Sequence, residues 1–396
     1  MIRGPPGLRH LPQQSTLLLR TLLLSAILVF TPLFRSDLKA FTVTSRPRAL
    51  VTGAAGYIGR ELCCQLLEDG WHVTAGVRDL NSSRARTLAT LASDLAAAKD
   101  LRFRMIPLDL LDGPAIADAF GEETPRAVFH VASVFQRCTD PMSEMVEPNI
   151  ATTEAIVRAC AAASVRPLLV LTSSMAAVRG PGQPLREGRS SYDHHDVNTV
   201  STPEGGWGFA YQYSKRESER RAWTLARELG LQLVALCPSM VLGPERRWAA
   251  TIGRESVGFS VGMVQAWLRG DQKVGSLLIV DVRDVARAHV AAARAGSAVA
   301  GERLIVSTEV RLPPRDVAEV LRSAVEEKVG DVAVAARIVA DDSFSPGPIA
   351  SGKAEVECRK RLHDRLGLHC REVRATARDM AVDLVNVDRA ASHRLD

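Results

Sequence analysis

The sequence predicts an α/β fold, a doubly wound parallel sheet with a smaller C-terminal lobe. Two observations predict it. Short apolar strands alternate with helix-patterned segments from residue 48 to residue 237, and such alternation builds a parallel sheet covered on both faces. The first strand also runs through a glycine-rich turn directly into a helix, which sets a backbone cradle against a helix N-terminus. The chain has 396 residues, 46% hydrophobic and 24% charged. That is enough for one large domain and a lobe.

Residues 48–52 (RALVT) form the first strand. GAAGYIG follows, with Gly53, Gly56 and Gly59, and ELCCQLLEDG then keeps helical spacing up to Gly70. Glycine lets the backbone approach a pyrophosphate, and the helix start offers free N–H groups and a positive dipole end. Thr52, Gly53, Gly56, Tyr57, Ile58 and Gly59 are therefore candidate dinucleotide-binding residues in a Rossmann arrangement. The second strand, 71–77, ends in Arg78-Asp79. An acid at this strand end holds a ribose 2′-hydroxyl, whereas an arginine accommodates a 2′-phosphate. Arg78, with Arg84 and Arg86 close behind, favours NADP(H). Asp79 is the competing sign for NAD and is expected to cap the next helix.

Further strands are expected at 102–107, 127–131, 167–172 and 232–237, and helices at 141–163 and 211–229. Asp109 and Leu110 follow the third strand, Ala132 and Ser133 the fourth, and Ser173 and Ser174 the fifth. Ligands of such sheets sit at these carboxyl ends. Beyond residue 245 the alternation is irregular. Helices are expected at 258–270, 313–329 and 373–385, a strand-like start and helix over 280–293, a strand at 304–306, and a loop over 341–351. The expected organisation is a targeting leader or short anchor over 1–45, an NADP-binding domain over 46–245, and a mainly substrate-binding lobe over 246–396.

The net charge of +5 is uneven. The first 48 residues hold seven basic side chains and one acid, Asp37, and the remainder holds 43 basic and 44 acidic. A near-neutral body gives no electrostatic case for nucleic-acid binding. Seven cysteines are scattered without metal spacing, so reduced thiols and no metal site are expected. Residues 17–34 read LLLRTLLLSAILVFTPLF behind Arg3 and Arg9. The uninterrupted part suits a signal-peptide core better than a full span of about 20 residues. An endomembrane signal or anchor is expected, with plastid or mitochondrial import as the alternative for an Arg-rich leader. Any membrane contact is confined to residues 17–34.

Tyr211 stands four positions before Lys215, which on a helix puts both on one face. A cation beside a phenol favours phenolate and lowers its pKa from about 10. The pair suits proton exchange with a substrate oxygen.

The segments VTGAAGYIG, VRD, VFHVAS, PNIATTEAIVRAC, LTSS, YQYSKRESERRAW, LCPSMVLGP and VDVRDVARAHV stand in an order and spacing that resembles the extended short-chain dehydrogenase/reductase family. Within it, they resemble the dihydroflavonol-reductase, cinnamoyl-CoA-reductase and ketone-reductase branch, over about residues 48–385. The resemblance implies that Tyr211 gives a proton to a substrate carbonyl and that Lys215 acidifies it and holds the nicotinamide ribose. It implies that Ser174, rather than Ser173, holds the substrate oxygen and that Asn149 supports a relay water. Pro238 and Ser239 would lie along the nicotinamide, Ala132 and Ser133 beside the diphosphate, and Asp109 and Leu110 at the adenine. The implied reaction is NADPH-dependent reduction of a ketone, aldehyde or dihydroflavonol-like carbonyl, by a monomer or homodimer.

The irregular stretch 179–208 is expected to be a substrate lid. In it Val197 replaces the tryptophan of a D-W-N-T stretch, and His194 and His195 are expected to be solvated. Tyr213 is expected to face away from the site, and Arg216 to be a surface change. Three other readings stay open: an NAD-dependent nucleotide-sugar epimerase or dehydratase, a 3β-hydroxysteroid dehydrogenase-like enzyme, and a non-enzymatic NADP-sensing protein. Retention of both Tyr211 and Lys215 argues against the last.

Overall fold

In the computed structural model, which describes residues 1, 46–121, 124–245, 258–343 and 353–392, strand and helix alternate as the sequence predicts. The first half runs β1 (Arg48–Thr52), α1 (Tyr57–Glu68), β2 (His72–Val77), α2 (Ser83–Ala98), β3 (Phe103–Pro107), α3 (Gly113–Phe120) and β4 (Ala127–His130). A π turn (Met142–Val146) then leads into α4 (Glu147–Ala162), followed by β5 (Leu168–Thr172), the one-turn α5 (Met175–Val178), α6 (Trp207–Leu229) and β6 (Leu233–Pro238). The second half holds β7 (Met240–Leu242), α7 (Phe259–Arg269), β8 (Ile279–Asp281), α8 (Val282–Ala295), β9 (Arg303–Val306) and α9 (Pro314–Ala324). It closes with α10 (Val332–Ala335), α11 (Arg359–Leu366) and α12 (Val373–Ser392).

Seven parallel strands pair in the order β3-β2-β1-β4-β5-β6-β9, and β7 and β8 form a separate parallel pair. Successive strand residues point to opposite faces, and the two apolar clusters follow that rule. Ala49 and Val51, Ala127 and Phe129, Leu168 and Val170, and Val234 and Leu236 pack toward α1, α2 and α8. Leu50, Val128, Leu169 with Leu171, and Leu233 with Ala235 pack toward α3, α4 and α6. Burial on both faces is why the strands read as continuous apolar runs.

A third cluster joins α7, α9, α10 and α12 with Leu242 and Ile279. This is the lobe, but a boundary at residue 245 does not separate it from the sheet. α8 and β9, both beyond that residue, return to cover and complete the sheet, with Ala235–Pro238 paired to Arg303–Val306. All seven cysteines are free thiols.

The leader expected over 1–45, including residues 17–34, lies outside the described residues apart from Met1, as does most of the loop expected over 341–351. Among the described residues no helix is long and apolar enough to cross a membrane.

Candidate active site

The turn between β1 and α1 is closed by contacts that exclude side chains. Gly53 adopts φ +65°, and a Cβ there would lie 2.8 Å from the Ala132 backbone. A Cβ on Gly59 would lie 2.3 Å from the Gly53 carbonyl oxygen. Gly56 is the N-cap of α1 and offers no side-chain cap, which leaves the first-turn N–H groups beside Tyr57, Ile58 and Gly59 for a ligand. Thr52 ties this turn to β4: its Oγ1 accepts from Ala132 N at 3.3 Å and pairs with His130 Nδ1 at 3.0 Å.

Arg78 is exposed at the end of β2, with Arg84 half-buried nearby. Burial lowers the pKa of Arg84, Glu245 opposes that shift, and the Arg78 charge adds to it. Two guanidinium groups within electrostatic reach of each other make a positive site that suits a phosphate. The side-chain-free cradle and this pair fit a dinucleotide carrying a 2′-phosphate. Asp79 does not cap α2. Its Oδ1 accepts from Asn81 N at 2.8 Å, and Ser82 Oγ caps the helix through Ala85 N at 3.2 Å. Asp109 is exposed and folds back on Leu111 N at 2.9 Å, whereas Leu110 is buried in the α3–α4 face.

Tyr57 has a role the turn alone does not reveal. Its hydroxyl donates to Gly243 O at 2.6 Å, joining the cradle to the lobe side. Burial, then the charges of Glu245, Asp281 and Asp383, push this phenol well above 10.

The catalytic candidates meet where β5 ends against α6. α6 starts at Gly206, where φ is +88°, and stops at Gly230, where φ is +65°. Ser174 Oγ caps α5 through Ala176 N at 3.1 Å. Its hydroxyl also lowers the pKa of the Tyr211 phenol against burial. Lys215 is buried, and its Nζ donates to Thr172 O at 2.9 Å.

The expected acidification of Tyr211 by Lys215 is not present. Burial pushes the phenol up to about 12, and the Ser174 hydroxyl is the influence that lowers it. The reason is geometric. Lys215 reaches back beneath the helix to β5, and the ring of Phe135 lies 4.2 Å from that of Tyr211, centroid to centroid. Burial in turn pushes Lys215 down to about 8, opposed first by Glu219 and then by Cys237.

Asn149 is buried where the β4 loop meets α6. Both ends of its amide are taken by the protein. Oδ1 accepts from Val134 N at 2.7 Å and Ser133 Oγ at 3.2 Å, and Nδ2 donates to Val134 O at 3.1 Å and Ser214 Oγ at 3.2 Å. It pins the β4 loop to α6. A cavity of about 10 Å³ lies beside it, lined by His130, Ala132, Ser133, Thr153, Lys215 and Ser218 among others. Pro238 ends β6 opposite Val306, and buried Ser239 accepts from Ser307 Oγ at 2.8 Å.

Sequence reasoning missed an aromatic wall. Phe135 also stacks on Trp207 at 5.4 Å and meets Phe259 at 4.8 Å, and Trp207 and Phe259 lie 5.4 Å apart. The only sequence sign was an aromatic two residues past the VFHVAS strand end.

The stretch before Tyr211 is anchored rather than lid-like. Asn198, fully buried, donates to Ala176 O at 2.7 Å and Ser201 Oγ at 2.8 Å. Arg186 holds Asp193 and Asp196, each at 2.6 Å. Arg216, expected on the surface, donates to Asn198 O at 3.0 Å and stacks over Tyr213. Val197 is 50% exposed, so the residue replacing tryptophan adds nothing to the buried site. The His194 and His195 rings lie 3.9 Å apart, tilted by 42°.

Three comparisons bear on this geometry. A sequence model described as "NAD dependent epimerase/dehydratase family" matches residues 49–306, and the chain belongs to that family. The chain is 34% identical to "Cinnamoyl-CoA reductase 1" of Petunia hybrida over 248 residues, which cover 61% of this chain and 67% of that one. It is 32% identical to "Dihydroflavonol 4-reductase" of Arabidopsis thaliana over 208 residues, 51% of each. A yeast methylglyoxal/isovaleraldehyde reductase solved in complex with NADPH superposes with a TM-score of 0.71, at 23% identity over 87% of this chain and 99% of that one.

Proposed function

We propose that this member of the NAD dependent epimerase/dehydratase family is an NADPH-dependent reductase of a small, unsaturated or aromatic carbonyl compound, a ketone, aldehyde or dihydroflavonol-like molecule. Tyr211 is the proton donor. One observation carries the reading: Tyr211, whose phenol Ser174 influences, and the buried Lys215 stand one turn apart on α6 where β5 ends. NADPH, when bound, supplies the hydride that a carbonyl carbon accepts.

The protein's own groups do the rest. Ser174 Oγ and Tyr211 Oη bind and orient the carbonyl oxygen, and their hydrogen bonds strengthen as negative charge grows there. A phenol pushed up to about 12 stays protonated through the neutral range, so Oη holds a proton to deliver. The buried Lys215 ammonium is held on Thr172 O, one helical turn from Tyr211. Gly53, Gly56 and Gly59 with the first turn of α1 hold the diphosphate, and Arg78 with Arg84 holds the 2′-phosphate. Phe135, Trp207 and Phe259 present flat apolar faces to a conjugated or aromatic substrate. The two similar plant proteins, named for cinnamoyl-CoA and dihydroflavonol reduction, support this substrate class. The leader directs the chain to the endomembrane system, which a fluorescent fusion of residues 1–45 tests; plastid or mitochondrial signal would overturn that placement.

Purified protein is expected to oxidise NADPH with members of a panel of aromatic and aliphatic ketones and aldehydes, and Tyr211→Phe to abolish it. Mass spectrometry of copurified nucleotide separates the competing chemistry. Tightly retained NAD with no net turnover would favour an epimerase.

A further inference from the structure

Glu219 stands one helical turn beyond Lys215 on the same face of α6 and is 4% exposed. Its carboxylate is fully occupied. Oε1 accepts from Arg303 Nε at 2.5 Å and Trp223 Nε1 at 3.1 Å. Oε2 accepts from Ser173 Oγ at 2.5 Å, Arg303 Nη2 at 3.1 Å and Cys237 Sγ at 3.8 Å. Arg303 in turn donates to His194 O and Asp196 O in the segment that leads to α6. This buried ion pair therefore grips β5 at the residue before Ser174, β6 at the residue before Pro238, β9 and α6. A buried pair satisfied on all sides fixes geometry even where its net stabilisation is small.

Glu219 and Lys215 line the same small cavity. Among the described residues Lys215 Nζ makes no ion pair, and its hydrogen bond goes to Thr172 O. The other titratable groups around it are neutral near pH 7. His130 on β4 is pushed down to about 3, mainly by burial. Cys237 on β6 and Tyr211 on α6 are each pushed up to about 12 by burial. α4 contributes Asn149 and Thr153, which carry no charge. Glu219 is the leading influence that favours the ammonium. The Arg303 charge on β9 is paired with that carboxylate.

We propose that Glu219, fixed by Arg303, is a positioning residue: it holds the Ser173–Ser174 strand end in register with Tyr211 and keeps the buried Lys215 ammonium charged. The inference rests on the reductase reading of this site for its catalytic consequence.

The test uses the full chain with 13Cε-labelled lysine. It has seven lysines, and the Lys215 resonance is identified by its loss in Lys215→Arg. Glu219→Gln keeps acceptor and shape but removes the charge. The Lys215 titration midpoint is expected to fall by about one pH unit, and the alkaline limb of kcat/KM with it. Activity lost near pH 8 is expected to return toward wild type near pH 6.5, and Glu219→Asp to restore the wild-type midpoint. Arg303, left without its counter-charge, endangers folding of the single variant. The double variant Glu219→Gln/Arg303→Gln keeps a neutral hydrogen-bonded pair and is expected to show a lowered midpoint, by less than the single variant because the Arg303 cation is gone as well.

A Lys215 midpoint unchanged in either folded variant would overturn the proposal. So would an activity loss equal at every pH, the mark of a merely structural role. If wild-type protein reduced no carbonyl, the reductase reading would fail while the lysine titration still decided Glu219.

Discussion

The two sides of the site are built by opposite means. The phosphate side is made by leaving atoms out: Gly53 and Gly59 have no room for a Cβ, and Arg78 stands exposed. The catalytic side is made by packing atoms in. Tyr211 lies under Phe135, Lys215 against the β5 backbone, and Glu219 inside a ring of five donors. Burial in the packed wall pushes Tyr211 up and Lys215 down.

The contrast can be broken in order of effect. Tyr211→Phe keeps the ring against Phe135 and removes only Oη. Steady-state NADPH oxidation should fall by about 10²–10⁴-fold with NADPH affinity nearly unchanged, and a variant within threefold of wild type would end the donor role. Arg78→Ser acts on the open side alone. It should weaken NADPH binding by about 10- to 100-fold, from a charged hydrogen bond of about 1.5–3 kcal/mol, while NADH binding stays level. Fluorescence titration of both nucleotides measures this, and equal weakening of the two would remove Arg78 from the 2′-phosphate.

Two pH effects sharpen the comparison. Lys215 holds its proton below about 8 and loses it above, so kcat/KM should fall by up to about tenfold per unit on the alkaline side. A profile flat to pH 10 would contradict it. The last effect concerns stability. Burial pushes His130 to about 3 and His289 to about 4, below their ordinary 6.5. Between those values and 6.5 the unfolded chain binds protons that the folded chain refuses, so stability falls as pH drops through that window. Between pH 7 and 6 the loss should be about 1 kcal/mol for the two together. Denaturant midpoints measure it, and His289→Gln should shallow the slope.

The same contrast explains what the sequence disclosed. The cradle is local. Gly53 to Gly59 span one turn, and every constraint on them comes from that turn or the strand beside it, so a motif suffices. Ser174 was legible as a strand end, and Tyr211 with Lys215 as a helical spacing. The direction of the Tyr211 shift was not, because it depends on Phe135 and on a lysine turned to Thr172, contacts made only by folding. Asn198 and Arg216 looked like loop and surface for the same reason: their partners are distant backbone atoms. β9 was predicted as a strand, but its seat beside β6 is a fact of topology that its four residues do not encode. Glu219 was within reach of the spacing argument, one further step of four along the helix.

That seat of β9 bears on how the protein is made. The residue that neutralises Glu219 is synthesised after the residues it serves, so a nascent chain stalled at residue 245 would carry Ser174, Tyr211 and Lys215 yet leave β6 as a bare edge with an uncompensated carboxylate buried next to it. On the proposed reading, that half would gain its geometry only once Arg303 had emerged and docked.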